Sequence, residues 1–211
     1  MFDRSAVTFV HEHTRAHPRY WLVVGKGPSA DYLCRHDLDR YHVLTLNHAC
    51  KLAVPTLAHF VDVDAMLDCR HRLHQLDCHV AMPWHPHQHF KAHADCLDEY
   101  PWAAEFGTKL TSYNATTANT LSRNPMLPTL RLRYFSAVAA FNILVAAGIR
   151  HIHSIGVDGG RGYAEGLDGR TRLANGQKTF DVQFPEIRDT IRRNKCTWVR
   201  LTDDPESAFE N

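Results

Sequence analysis

The residues best suited to chemistry are a glycine turn and four short polar groups spread over the chain. Val24-Gly25-Lys26-Gly27-Pro28-Ser29 joins an apolar run to a helical stretch. Glycine lets the backbone approach an anion, and the N–H groups and dipole of a helix N-terminus favour negative charge. Pro28 suits a first helical turn, where its missing N–H is not needed. Gly25-x-Gly27-x-x-Ala30 has the form of a dinucleotide fingerprint, yet the position that should carry a ribose-binding acid is Asn47. Asparagine can donate to and accept from a base or a ribose. The Walker pattern is absent, because Lys26 precedes the second glycine and no G-K-[ST] follows. Asp62 and Asp64 stand two residues apart; they could hold Mg²⁺ through phosphates, or form a strand end and a helix cap. Ser136 opens an apolar helical run, either as a cap or as a hydroxyl aimed at a phosphate or carboxylate. Asp158 lies between Gly156 and Gly159, and Tyr163 follows in the same loop with a hydroxyl that could reach a phosphate.

These residues need elements to hold them. Apolar runs predict strands at Tyr20–Val24, Tyr41–Leu46, Leu57–Val61, Cys78–Met82, His151–Ile155 and Thr197–Leu201. Helical patterns cover Ser29–Arg35, a stretch with Met66, Leu67, Leu73 and Leu76, His89–Tyr100, Phe135–Ala147 ahead of Gly148, and Phe180–Asn194. Strands alternating with helices indicate an α/β fold, Rossmann-like, with a mostly parallel sheet flanked by helices. In such sheets ligands sit beyond the carboxyl ends of the strands, where Gly25–Ser29, Asn47, Asp62 and Gly156–Asp158 all fall. The stretch 84–133 has no clear period, and Thr111-Ser-Tyr-Asn-Ala-Thr-Thr within it is polar. It reads as an insertion, lid-like, in a single nucleotide-binding domain spanning 1–211.

Charge is nearly balanced, 24 basic against 23 acidic side chains, which argues against a nucleic-acid binder. No apolar run approaches the roughly 20 residues of a membrane span, and the first residues lack a signal-peptide core, so a cytoplasmic location is expected. None of the six cysteines forms a C-x-x-C pair, which reads as reduced, packing thiols. Seven of the sixteen histidines lie between His71 and His93. Pro83 and Pro86 interrupt them, and no acidic or cysteine ligand is spaced to help, so they read as a polar loop and no metal site is assigned.

Three pieces in order carry a resemblance: Val24–Ser29; Leu46-Asn47 with Phe60-Val-Asp62; and Phe135-Ser136 through Gly148 to Ile155-Gly-Val-Asp158 and Gly162-Tyr163-Ala164. The set resembles the bacterial sialyltransferases of glycosyltransferase family 42, and also the domain of unknown function 115 group with its 6-hydroxymethylpterin diphosphokinase-like proteins. The sialyltransferase resemblance implies that Gly27 and Ser29 cradle the phosphate of CMP. It implies that Asn47 and Asp62 contact nucleotide and sugar, that Ser136 faces the donor carboxylate, and that Tyr163 holds the leaving phosphate. Gly25, Pro28 and Gly156 complete that expected nucleotide site. The family's general base is a histidine downstream of the G-x-D strand, and this chain has no histidine after His153. Glu165, Asp168 or Asp181 would have to serve, and Asp158, Asp168 and Tyr163 are the catalytic candidates. Family members carry Asn where this chain has Asp62, and a carboxylate suits metal-bound phosphates.

Three functions follow as expectations. The first is a glycosyltransferase using a nucleotide-activated sugar, with a CMP-linked acidic sugar as donor, for bacterial surface glycan. Its partners would be that donor and a glycan acceptor; self-association stays open. The second is an ATP- and Mg²⁺-dependent pyrophosphokinase-like phosphoryl transferase. The third is a non-catalytic nucleotide-binding protein.

Overall fold

The computed structural model describes residues 4–87, 95–116, 123–132, 135–167 and 178–201. Helix α1 (Ala6–Ala16) opens on Ser5, whose Oγ accepts from the backbone N–H of Val7 and Thr8, the preferred N-cap arrangement. Strand β1 (Tyr20–Val24) follows, and its last four side chains are wholly buried. Such a run, apolar on both faces, is what a central strand of a parallel sheet requires. The indole of Trp21 donates to Thr14 Oγ1, whose hydroxyl donates to the Val10 carbonyl, so α1 is fastened to β1 by polar as well as apolar contact.

Next come β2 (Tyr41–Leu46), β3 (Leu57–His59), helix α2 (Val63–Gln75), β4 (His79–Pro83), the one-turn helix α3 (Ala103–Phe106), β5 (Leu110–Ala115) and β6 (Thr129–Leu130). Helix α4 (Ser136–Ala146), β7 (His151–Ile155), α5 (Phe184–Arg193) and β8 (Thr197–Arg200) complete the described elements. The eight strands form one sheet in the order β6-β5-β4-β3-β2-β1-β7-β8, every pair parallel. From β1 the chain therefore walks outward to β6. It then returns across a face along α4 and lays β7 on the other side of β1. The strand order reverses between β1 and β7, and that switch point is where an open α/β sheet leaves a crevice.

Helix α4 is apolar on nearly all sides, with Ala137–Phe141 and Ile143–Val145 buried. It sits in the main core with Phe9 and Val10 of α1 and Ile187 of α5. No helix among the described residues is long and apolar enough to cross a membrane.

The α/β expectation and its parallel sheet hold, and four local readings change. The expected helix at 29–35 is a 3₁₀ helix, Pro28–Arg35. The expected helix at 180–194 starts as a 3₁₀ turn, Phe180–Gln183, before α5. Within 84–133, expected as a lid-like insertion, 110–115 and 129–130 are strands of the sheet itself. Strand β5 looks like a loop because it is polar, but all six of its side chains are buried. Thr111 Oγ1 donates to the Val80 carbonyl and Ser112 Oγ to that of Met82; the Tyr113 hydroxyl pairs with His59 Nε2 at 2.8 Å. Asn114 Nδ2 donates to the carbonyls of Asn124 and Leu127. Each polar group is satisfied by its neighbours, which makes its burial tolerable. Of the helix expected at 89–100, residues 88–94 lie outside the described residues and Leu97–Glu99 is a single 3₁₀ turn.

Candidate functional site

At the switch point the turn after β1 and the loop after β7 are locked together. The Gly25 N–H donates to the Ile155 carbonyl and the Gly27 N–H to that of Gly156, both at 2.8 Å. Gly156 adopts a left-handed φ of 69°, and its own N–H donates to Ser29 Oγ. A Cβ at Gly25 would lie 2.1 Å from the Gly156 carbonyl oxygen, and one at Gly27 would lie 2.5 Å from Asp158 Oδ2. Both positions are glycine because another loop occupies the space a side chain would need. Asp158 accepts from the Ser29 N–H at 2.8 Å and the Ser29 hydroxyl at 2.9 Å, and it pairs with Arg200 at 3.2 Å. The groups of Gly27 and Ser29 expected to cradle a phosphate are thus bonded to Gly156 and Asp158. Asp158, a catalytic candidate by its position, sits here as the latch between the two loops. Pro28 starts the 3₁₀ helix beside it.

One strand over, β2 is followed directly by Asn47, a non-glycine residue with φ 51°. Asparagine tolerates this region better than most side chains, but holding it there still costs energy. The side chain is buried, and its Nδ2 donates to Ser136 Oγ at 3.1 Å. Among the described residues its Oδ1 is buried with no hydrogen-bond partner. A buried amide oxygen left unpaired is expensive, and it marks a place where an external N–H or O–H would be welcome. Ser136 is the first residue of α4, and no side chain caps that helix. The Val138 N–H donates to the Phe135 carbonyl at 3.1 Å, so the N–H groups of Ser136 and Ala137 are the ones with no hydrogen-bond acceptor among the described residues.

Lys26, between the two glycines, is the residue that sequence reasoning passed over. Its carbonyl accepts from the Ala164 N–H at 2.8 Å, and its ammonium lies 5.4 Å from the centroid of the Tyr163 ring. Burial pulls the amine down to about 8, with the Asp62 carboxylate pushing the other way. Burial lowers the pKa of His48, the residue beside Asn47, and the Lys26 charge lowers it further. The signal available in the sequence was position alone: a lysine inside the turn, set aside because it does not match the Walker spacing.

Asp62 precedes α2 without its carboxylate capping that helix. It binds His87 Nδ1 at 2.8 Å, while the His87 backbone donates to Val61 and accepts from Val63. The Asp62 carboxylate raises the imidazole's pKa above its ordinary value. One member of the histidine-rich stretch is thereby brought to the end of β3, a pairing that two residues 25 apart in sequence do not advertise. Asp64 is exposed on the first turn of α2. Of the other candidates, Tyr163 packs edge-on against Phe180 as well as under Lys26. Glu165 is exposed, with its N–H bound to Asp31, and Asp181 accepts from the Gly160 N–H at 3.3 Å. Asp168 lies outside the described residues.

No protein-family model matches the chain, and no curated protein matches it. Solved structures do. A crystal structure of the sialyltransferase CST-II in complex with trisaccharide acceptor and CMP is similar at 13% identity, covering 88% of this chain and 82% of that one with a TM-score of 0.53. The sialyltransferase CstII from Campylobacter jejuni, in complex with the substrate analogue CMP-3FNeuAc, is similar at 11% identity over the same shares, with a TM-score of 0.50. The likeness is one of fold. It supports a sialyltransferase-like fold and adds nothing to the diphosphokinase side.

Proposed function

We propose that the chain is a glycosyltransferase that takes a nucleotide-activated sugar, a CMP-linked acidic sugar as donor, and builds bacterial surface glycan on the cytoplasmic side. The observation that carries this reading is the Asn47–Ser136 pair: a strained, buried asparagine with an unpaired Oδ1, bonded to the first residue of an uncapped helix. It offers an acceptor to an amino or hydroxyl group of the nucleotide and helix N–H groups to a phosphate or carboxylate. The desolvated Lys26 ammonium over Tyr163 supplies a positive charge for an anionic donor.

In this mechanism an acceptor hydroxyl attacks the anomeric carbon directly. The new carbon–oxygen bond forms as the bond to the phosphate oxygen breaks. Lys26, the N-terminus of α4 and the Tyr163 hydroxyl take up the charge that develops on the leaving phosphate. The acceptor proton passes to His87, which Asp62 orients through Nδ1. Asp168 remains the carboxylate alternative for that proton. The Mg²⁺-dependent phosphoryl-transfer reading needs Asp62 on a metal, whereas Asp62 is bonded to His87. The chain acts as a single domain, in which Trp84, Leu97, Tyr100, Trp102 and Phe106 of the 84–133 stretch pack into the core beside α2.

Release of free nucleotide from a panel of nucleotide sugars, with and without glycan acceptor, tests the proposal. Turnover of a CMP-linked sugar that falls at least about a hundredfold in Asn47→Ala is expected. In His87→Gln the loss should be accompanied by disappearance of the acid-side fall in kcat that protonation of the imidazole causes. Turnover of no sugar nucleotide, or turnover indifferent to Asn47→Ala, would overturn it.

A further inference from the structure

Behind Asn47 the 3₁₀ helix Asn47–Lys51 packs against α2, and the contact brings unlike metal-ligating side chains together. One ligand atom from each of His48, Asp68 and Cys69 lies within 4.8 Å of the others. His48 Nε2 stands 3.0 Å from Asp68 Oδ2. His48 is 6% exposed, and its Nδ1 is buried with no partner among the described residues. Cys69 is fully buried, and Cys50 of the 3₁₀ helix is buried in the same core cluster. The thiolate is the form in which Cys69 would bind a metal.

We propose that His48, Asp68 and Cys69 form a transition-metal site, with zinc as the ion it selects. Imidazole, carboxylate and thiolate together suit Zn²⁺ far better than Mg²⁺ or Ca²⁺. Metal–ligand lengths of about 2.0–2.3 Å place tetrahedral ligand atoms about 3.3–3.8 Å apart. The His48–Asp68 separation is already near that, and the cluster needs to contract by about an ångström elsewhere. The ion replaces the proton shared by His48 and Asp68. Bound there, it ties the segment that starts at Asn47 to α2 and holds the left-handed Asn47 in place. Lys51 Nζ binds the same Asp68 oxygen at 2.6 Å, so the ion pair is the competitor the experiment must exclude.

The test uses the full chain, stripped with a chelator and loaded with Zn²⁺ or Co²⁺. One zinc per chain after gel filtration is expected, and the cobalt form should show a near-ultraviolet thiolate-to-metal charge-transfer band. Cys69→Ser should abolish that band, and Asp68→Asn should weaken binding at least about tenfold. Asp68 is half exposed, so that variant reports even where a core substitution disturbs folding. His85→Asn/His89→Asn should leave uptake unchanged. No stoichiometric uptake, a cobalt spectrum without the charge-transfer band, or binding that survives Asp68→Asn and is lost in the His85/His89 variant would overturn the site.

Discussion

Asp158 and Lys26 exchange roles between the reading of residue types and the geometry. A carboxylate between glycines at a strand end reads as chemistry, but Asp158 gathers the Ser29 N–H, the Ser29 hydroxyl and Arg200. Removing it leaves these donors without their acceptor, so Asp158→Ala should cost about 2–4 kcal/mol, measured as a lower urea midpoint. A purely catalytic aspartate would leave that midpoint unchanged and remove only turnover. Lys26 behaves in the opposite way. Its ammonium is desolvated and faces an aromatic ring, so it adds little to the stability of the free protein. Lys26→Met should leave the urea midpoint equal or higher and weaken binding of a CMP-linked donor about 10–100-fold by calorimetry. Residue type and spacing exposed Asn47 and Ser136, because a strand end and a helix start are local features. They could not expose the Asp62–His87 pairing, or the three contacts of Asp158, which only folding across long sequence distances creates.

Elements divide by how they are buried. β1 and α4 are legible because burial on both faces demands unbroken apolar runs, and β2 and β7 stay legible although His42, Thr45, His153 and Ser154 are buried within them. β5 is hidden because its burial is made tolerable by hydrogen bonds from Thr111, Ser112, Tyr113 and Asn114, which no periodicity records. Tyr113→Phe should remove the partner of His59 Nε2 in a fully buried setting and lower stability by about 1–3 kcal/mol in urea. The two loops at the switch point form a second unit. In Gly25→Ala the new Cβ meets backbone rather than a movable side chain. A loss of about 3 kcal/mol or more is expected, again by urea titration, with no rescue from trimming the side chain of Asp158. The glycines that read as an anion cradle are, at this scale, what lets β1 and β7 close against each other.

For the whole molecule, the amino ends of the strands and the centre of the sheet hold histidines that burial keeps neutral. His13 is lowered to about 4, by burial first and then by His42, His17, His79 and Arg19, and buried His59 is lowered to about 3 despite Asp62. His42, His79 and His153 are lowered for the same first reason. A histidine whose folded pKa lies below its unfolded value of about 6.5 binds more protons when unfolded. Its contribution is present above about pH 6.5 and is lost as pH falls toward the folded value. The urea midpoint should therefore drop steadily from pH 6.5 to pH 4, and His13→Asn should flatten that slope. At the other end of the sheet, the central claim is that the crevice beside β1 and β7 holds a CMP-linked donor. Thermal unfolding with CMP, UDP, GDP and ATP, each with and without Mg²⁺, tests it most directly. CMP should raise the Tm of the wild type without needing Mg²⁺ and leave Asn47→Ala unmoved, whereas stabilisation by ATP alone, with none from CMP, would contradict the account.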